Sequence, residues 1–114
     1  MTPDNLSRFS KSMRINKEED FSFVFAQPNR SVDKFFSVIS RDNNLDLPRL
    51  GLSISKKVVN LAVERNRIKR VVRSAFIEQI NLKNHDFIVM ARRDAVKQGN
   101  KTFRNSLCNH FKKI

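Results

Sequence analysis

The chain has 114 residues, which suit one compact domain, and its 39% apolar content with ten phenylalanines can form a core. Its 23 Lys and Arg against 11 Asp and Glu give a formal net charge of +12 and a pI of about 10.8. Because so much like charge repels itself, a polyanionic partner is expected. The sequence has no apolar run long enough to span a bilayer and no secretory signal, which predicts a cytoplasmic protein. Binding to a membrane surface is not expected either, because the apolar helix face over residues 68–76 is short and expected to be buried.

The pattern of reactive side chains does not indicate an active site within the protein. Cys108 is the single cysteine, so an internal disulfide is excluded, and it is expected to be buried on a terminal helix. His110 lies two residues away, but no Cys or His cluster supplies further metal ligands. Asp20, Glu64 and Asp86 are interpreted as helix-end or turn residues. The sequence therefore predicts no catalytic residue and no metal site in the protein alone.

The first part of the chain predicts an arm followed by a helix. Residues 1–16 are polar and basic without periodicity, which indicates an extended arm before a single domain over residues 17–114. Apolar residues then recur at helical spacing after an acidic first turn, where negative charge stabilises a helix. Asn16 is expected to cap this helix and Pro28 to end it. The apolar positions are Phe21, Val24 and Phe25.

Strand patterns occur before and after a longer helix. Residues 33–41 are rich in β-forming types, residues 50–55 alternate apolar with small or polar types, and residues 87–91 form a short apolar run. A further strand near residues 30–32 has weaker support. Turn-forming residues at 42–44 separate the first two strands.

Two more helices complete the pattern. A long helix is expected between Asn60 and Ile80, and a closing helix after Gly99. The order of helix, two or three strands, helix, strand and helix predicts an α/β (α+β) two-layer sandwich with helices packed on one mixed sheet. The pattern leaves strand order and crossover hand open. The apolar face of the long helix comprises Ile68, Val71, Val72, Ala75 and Phe76.

The polar side of the long helix carries a dense positive charge. Between Lys56 and Arg73 the only acidic residue is Glu64. Arginine guanidinium groups can fork onto two phosphate oxygens, and like charges four residues apart repel without a partner. The alternative is an ordinary solvated face, but such faces mix both signs of charge. The candidate nucleic-acid-binding residues are Lys56, Lys57, Arg65, Asn66, Arg67, Lys69, Arg70 and Arg73.

This basic segment resembles the "RNR" motif region of the bacterial ribonuclease P protein family. The resemblance covers about residues 17–111, in the family's order and spacing. The matching segments are Lys56-Lys57-Val58-Val59-Asn60, Glu64-Arg65-Asn66-Arg67-Ile68-Lys69-Arg70 with Arg73 and Phe76, Glu19-Asp20-Phe21 with Val24-Phe25, Arg49-Leu50-Gly51-Leu52-Ser53, and Asp86-Phe87-Ile88-Val89 with Ala91-Arg92.

The resemblance implies a fold, an activity and partners. The fold would be a sandwich with a left-handed βαβ crossover. The function would be that of the protein cofactor subunit of ribonuclease P, an endoribonuclease that removes the 5′ leader of precursor tRNA. In that family the RNA subunit carries out hydrolysis with Mg2+, while the protein binds this RNA and the leader without an obligate protein partner. A small ribosomal RNA-binding protein is the alternative.

The resemblance also assigns two surfaces. The basic helix would face the RNA subunit, and a cleft between the first helix and the sheet would receive the leader. Phe21, Phe25, Phe36 and Lys56 are the expected cleft residues, although core packing is an alternative for the first two. The chain has no Tyr, and the position where some relatives carry a cleft tyrosine is either Ile39 or Phe36.

Overall fold

The structure is a computed structural model that describes residues 11–79 and 82–114, as three α-helices and one four-stranded sheet. Short 3-10 turns at Lys11–Met13 and Arg93–Lys97 lie outside these elements. The elements in chain order are α1 (Glu18–Ala26), β1 (Asn29–Val32), β2 (Phe36–Asp42), β3 (Arg49–Ser53), α2 (Ala62–Glu78), β4 (His85–Ala91) and α3 (Asn100–Lys113).

The sheet is mixed, as predicted, with strand order β1-β2-β4-β3. β2 is antiparallel to both β1 and β4, whereas β3 and β4 are parallel and are connected through α2. β1, β3 and β4 therefore all end at the same side of the sheet, here called the carboxyl end, and the opposite side is the amino end. The left hand of the β3–α2–β4 crossover stays a prediction.

One face of the sheet is closed by α2 and α3 over a phenylalanine-rich core. Phe36 on β2 packs edge-on against Phe103 on α3, with ring centroids 5.3 Å apart. Phe76 on α2 packs in the same way against Phe87 and Phe111, at 6.0 and 5.7 Å. All five rings are buried, so most of the hydrophobic stabilisation comes from this face.

The other face carries α1 and a much smaller buried cluster. Val24 of α1 packs with Ile15, Ile39 and Ile88. A Cβ atom on Gly51 would lie 2.9 Å from Cζ of Phe21 and 3.2 Å from Cβ of Ile15, so the absence of a side chain lets α1 approach β3 closely.

α2 and α3 run side by side in the same direction. Arg67 near the start of α2 contacts Asn100 at the start of α3, and Gln79 just after α2 contacts Cys108 further along α3. Both helices begin at the carboxyl end of the sheet, because α2 follows β3 and returns the chain to the start of β4.

Several element boundaries differ from the prediction for local reasons. β2 begins at Phe36 rather than residue 33, because the Asp33 carboxylate accepts the backbone N–H groups of Phe35 and Phe36 and forms a turn. Asn16 does not cap α1; the N-cap is Lys17, without a side-chain hydrogen bond. β3 ends at Ser53, and the weakly supported strand is present as β1.

The folded part of the chain begins before residue 17. The backbone N–H of Ile15 donates to the carbonyl of Leu50 at 3.0 Å, and the Ile15 side chain is buried in the α1-side cluster. Of the predicted arm, residues 1–10 lie outside the described residues. Among the described residues, none of the helices is long and apolar enough to cross a bilayer. The cytoplasmic location stays a prediction.

Candidate nucleic-acid interface

Two neighbouring surfaces contain the predicted site residues other than Phe36. The first is the polar side of α2 with the loop before it. That loop leaves β3 through a turn in which the Ser55 carbonyl accepts the N–H groups of Val58 and Val59, at 3.1 and 2.9 Å. The turn holds the side chains of Lys56 and Lys57 out in solvent, beyond the carboxyl end of β3. Both lysines are therefore available to a partner.

The two arginines of the Arg-Asn-Arg motif bond to their own chain. Arg65 donates to the carbonyls of Val59 and Asn60 at 2.9 and 3.0 Å, which attaches the loop to the first turns of α2. An arginine that already holds protein acceptors has fewer N–H groups to offer a phosphate.

Arg67 bridges α2 and the start of α3. It forms an ion pair with Glu64 at 2.8 Å and donates to Oδ1 of Asn100 at 2.7 Å and the carbonyl of Gln98 at 3.0 Å. Its guanidinium carbon also lies 4.9 Å from the centroid of the Phe103 ring. These contacts are internal, so Arg67 orders the helix pair at the point where the two helices begin.

The rest of the motif faces outward to different degrees. Asn66 and Arg70 are exposed, and Lys69 is half-buried. Nε of Arg73 is buried and has no hydrogen-bond acceptor among the described residues. Burial lowers the pKa of the Arg73 guanidinium, and the nearby charge of Arg14 adds to this effect. An external anion would supply an acceptor and offset both costs.

The second surface is an uncovered strip on the α1 face of the sheet. Val32 pairs with Ser37, Ser37 with Met90, and Met90 with Ser53, so these four residues form one row across the sheet. Side chains two positions away along a strand share a face, which places the row beside Ile39 and Ile88, on the α1 side. None of the four is fully buried, and Val32 is 47% exposed. We call this row the cleft floor.

α1 forms a wall along the cleft floor. The Asp20 carboxylate lies 3.7 Å from Arg49, and Arg41 stacks 3.7 Å from the Phe23 ring centroid, so this side of α1 faces the amino end of the sheet. Phe21 and Phe25, one turn apart, lie on the other side of the helix, toward the cleft floor. Phe21 is half-buried and Phe25 is 44% exposed. The structure thus leaves apolar ring surface of both residues accessible.

The assignment of Phe36 to the cleft is wrong. Phe36 is fully buried and packs against α3, on the opposite face of the sheet. Ile39 does lie on the α1 face, but α1 covers it completely, and the choice between Ile39 and Phe36 as the position of the relatives' tyrosine stays a prediction. The β2 residue that reaches the cleft floor is Ser37, one position after Phe36, because successive side chains of a strand alternate between faces.

Charge is distributed unevenly between the two ends of the sheet. Acidic residues gather at the amino end, whereas cations predominate at the carboxyl end, where the cleft floor and the start of α2 meet. The acidic residues at the amino end are Asp20, Asp42, Asp46 and Asp86. The carboxyl end also carries Asp33, Glu64 and Asp94, which its cations outnumber. The exposed cations that follow the strands or start α3, none of which the sequence assigned to the site, are Lys34, Arg92, Arg93 and Lys101.

The candidate catalytic or metal-binding groups have local roles. Asp86 lies within β4 rather than in a turn, and its carboxylate accepts two hydrogen bonds from Arg49, at 2.8 and 2.6 Å. Cys108 is half-buried rather than buried, with Sγ 3.4 Å from Nε2 of Gln79. In the described part of the chain, His, Cys, Asp and Glu form no group of three or more that could hold a metal ion.

Comparison with known proteins gives relatives along nearly the whole chain. The ribonuclease P protein component of Aliivibrio fischeri is 40% identical over 100 residues, which cover 87% of this chain and 86% of that protein. The same component of Methylococcus capsulatus is 40% identical over 104 residues, covering 90% of this chain and 81% of that protein.

Solved structures agree with this likeness. The RNase P protein of Staphylococcus aureus superimposes with a TM-score of 0.83 and 34% identity, covering 90% of this chain and 95% of that one. The RNase P protein from Thermotoga maritima superimposes with a TM-score of 0.79 and 30% identity, covering 89% of this chain and 96% of that one. The family model described as Ribonuclease P matches residues 9–114. These matches favour the predicted family over the ribosomal alternative, and the chain belongs to the ribonuclease P protein family.

Proposed function

We propose that this protein is the RNA-binding cofactor subunit of ribonuclease P in the maturation of tRNA 5′ ends. It binds the catalytic RNA subunit through α2 and the preceding loop, and it binds the single-stranded leader of precursor tRNA in the cleft between α1 and the cleft floor. The observation that carries the proposal is that a cationic helix and an aromatic-walled open strip meet at the carboxyl end of one sheet.

The chemistry of the two surfaces suits two kinds of RNA contact. The exposed Lys56, Lys57 and Arg70 supply charge without a fixed partner geometry, which is appropriate for a folded RNA backbone. The Phe21 and Phe25 rings offer stacking surface that accepts any base, and each stacked base contributes about 1–3 kcal/mol by alanine substitution. The cations beyond the strands, such as Arg93, can neutralise phosphates of a strand that leaves the cleft.

The protein itself supplies no acid, base or nucleophile in this proposal. Hydrolysis is assigned to the RNA subunit with Mg2+. Among the described residues, no group of three or more His, Cys, Asp or Glu side chains could hold such an ion. The contribution of the protein is to bind substrate and to lower the repulsion between two polyanions. No further protein is required as an obligate partner.

Reconstitution tests the proposal. The protein is mixed with a bacterial ribonuclease P RNA at low magnesium concentration, and cleavage of precursor tRNA is followed. We expect faster cleavage and tighter substrate binding than with the RNA alone, and no cleavage by the protein without RNA. No gain from the protein, or efficient cleavage without the RNA subunit, would contradict the assignment.

Variants separate the two surfaces. Arg70→Ala should weaken binding to the RNA subunit and reduce its salt dependence, whereas Lys112→Ala, an exposed cation near the far end of α3, should change neither. Phe21→Ala should weaken binding of precursor tRNA more than that of mature tRNA. An equal loss for both tRNAs would reject the cleft while leaving RNA binding by α2 intact.

A further inference from the structure

A buried polar network fastens the β1–β2 hairpin to α3. Ser31 of β1 points to the α3 side of the sheet, where its Oγ lies 2.6 Å from Nδ1 of His110. His110 is in the last turn of α3 and is 2% exposed. A buried imidazole requires partners for both nitrogens, and Ser31 supplies one of them.

Asp33 supplies the second contact and organises the turn between the strands. One carboxylate oxygen accepts the N–H groups of Phe35 and Phe36, at 2.8 and 2.9 Å. The other accepts Oγ of Ser106 at 2.5 Å and lies 3.1 Å from Nε2 of His110. The Asp33 carbonyl also accepts a hydrogen bond from Arg92 at 2.9 Å. One residue thus connects the turn to both α3 and the end of β4.

The contact between His110 and Asp33 is close but poorly aligned. Nε2 lies within ion-pair distance of the carboxylate, yet it has no partner of hydrogen-bond geometry among the described residues. With the Ser31 hydroxyl donating to Nδ1, the imidazole proton would be on Nε2, which lies 3.1 Å from the Asp33 carboxylate without the alignment of a hydrogen bond. The order Ser-His-Asp matches that of a hydrolytic triad. Burial of Ser31 and His110, at 7% and 2% exposure, denies access to a substrate, so the network has a positional role.

This network lies directly beneath the outer end of the cleft floor. Val32 stands between Ser31 and Asp33 in the chain, and its side chain points to the opposite face, where it is 47% exposed beside Ser37. β1 pairs with β2 alone in the sheet. The distance between β1 and α1 is therefore set by two attachments. One is the pairing of β1 with β2, and the other is the contact of Ser31 and Asp33 with α3 on the opposite face of the sheet.

We propose that Asp33 and His110 are positioning residues for leader binding. They hold the β1–β2 hairpin so that Val32 and Ser37 stay in line with the rest of the cleft floor, opposite the Phe21 and Phe25 rings. This inference rests on the proposed function of the cleft. It adds that the cleft depends on a network located on the other face of the sheet, without contact to RNA.

The test compares substrates in the assembled enzyme. Dissociation constants of the complex with ribonuclease P RNA are measured for precursor tRNA with a long leader and for mature tRNA. His110→Leu and Asp33→Asn should weaken precursor binding roughly five-fold, which corresponds to the net contribution of about one hydrogen bond. Mature tRNA and the RNA subunit itself should bind within about two-fold of the parent. Asn109→Ala, an exposed neighbour on α3, is the matched control and should change nothing.

Conservative variants distinguish positioning from general destabilisation. His110→Asn can keep the acceptor for Ser31, and His110→Gln can keep an N–H group near the Asp33 carboxylate, so at least one of them should recover precursor binding relative to His110→Leu. If His110→Leu fails to fold, precursor and mature tRNA binding are compared in His110→Asn and His110→Gln instead. Equal losses for precursor and mature tRNA, or unchanged precursor binding in all variants, would overturn the inference. A parent enzyme that does not distinguish the two tRNAs would instead contradict the proposed cleft.

Discussion

The two faces of the sheet use the same residue type in different ways. On the α2–α3 face, phenylalanines interlock in a closed core, and Phe36, Phe76, Phe87 and Phe103 are almost inaccessible. On the α1 face, four smaller residues form the buried cluster, and phenylalanine side chains of the covering helix stay partly exposed. One face thus provides stability, and the other keeps apolar surface open beside a row of uncovered strand residues. Burial, rather than residue type, separates the two roles.

The largest expected difference between the faces concerns stability. Phe36→Ala should lower the free energy of unfolding by about 3–5 kcal/mol, because it leaves a cavity in the closed core. Phe25→Ala, on a side chain that is 44% exposed, should cost less than about 1 kcal/mol. Urea unfolding followed by circular dichroism measures both. Similar losses would show that the α1 face is packed as tightly as the other.

The next largest effect is a contrast between two arginines of α2, one of which stabilises the fold while the other is proposed to bind RNA. Arg67→Ala should destabilise the fold by about 1.5–3 kcal/mol, since it removes charge-assisted bonds to Glu64, Gln98 and Asn100. Arg70→Ala should stay within about 0.5 kcal/mol and should reduce the slope of log binding constant against log salt by about one. Thermal unfolding and a salt titration of RNA binding separate the two effects. A normal melting curve for Arg67→Ala would assign that residue to RNA instead.

A smaller effect is expected where α1 approaches β3. The added methyl of Gly51→Ala would meet Phe21 and Ile15, and relief of this overlap should cost about 1 kcal/mol and displace the Phe21 ring. Precursor binding should fall, but less than with Phe21→Ala. Gly99→Ala is a control for precursor binding, because its methyl would meet no atom within 4 Å, although alanine at this N-cap of α3 carries a small stability cost of its own. Unchanged precursor binding in Gly51→Ala would place Phe21 outside the cleft.

The smallest expected effect depends on pH. Burial is the largest single influence and raises the pKa of the Asp33 carboxyl, but the hydrogen bonds from Ser106 and the turn backbone, together with nearby His110, outweigh it and lower the pKa below its usual 3.8. The ionised form is therefore favoured by folding, and its contribution is present above about pH 4 and lost as the pH falls through the lowered value. Unfolding at pH 2 to 5 should show a steeper acid loss for the parent than for Asp33→Asn. If the free energy of unfolding fell equally with pH in both proteins, the stability of the turn would not depend on the negative charge of Asp33.

Local patterns in the sequence predicted most of the architecture. All three helices, the strands β2, β3 and β4, and the mixed sheet follow from periodicity and turn residues, and the family resemblance predicted the ribonuclease P assignment. The error at Phe36 shows the limit of this reasoning. A strand residue and its neighbour point to opposite faces, and a run such as Phe35-Phe36-Ser37 does not indicate which face carries α1.

The internal role of Arg67 could not be predicted for a different reason. Its partners Gln98 and Asn100 are more than thirty positions away and reach it only because α2 and α3 start together. The same holds for Asp33, whose contact to Ser106 spans 73 positions. Local spacing predicts which residues share a helix face, but it contains no information on which distant segment will occupy that face.

The parallel arrangement of α2 and α3 has a consequence beyond their side chains. Each helix has a macrodipole equivalent to roughly half a positive elementary charge at its first turn. Here both positive poles are directed to one end of the sheet instead of opposing each other. This part of the attraction for phosphate belongs to the peptide groups themselves. Part of the positive potential at that end therefore comes from the backbone and does not depend on which side chains stand there.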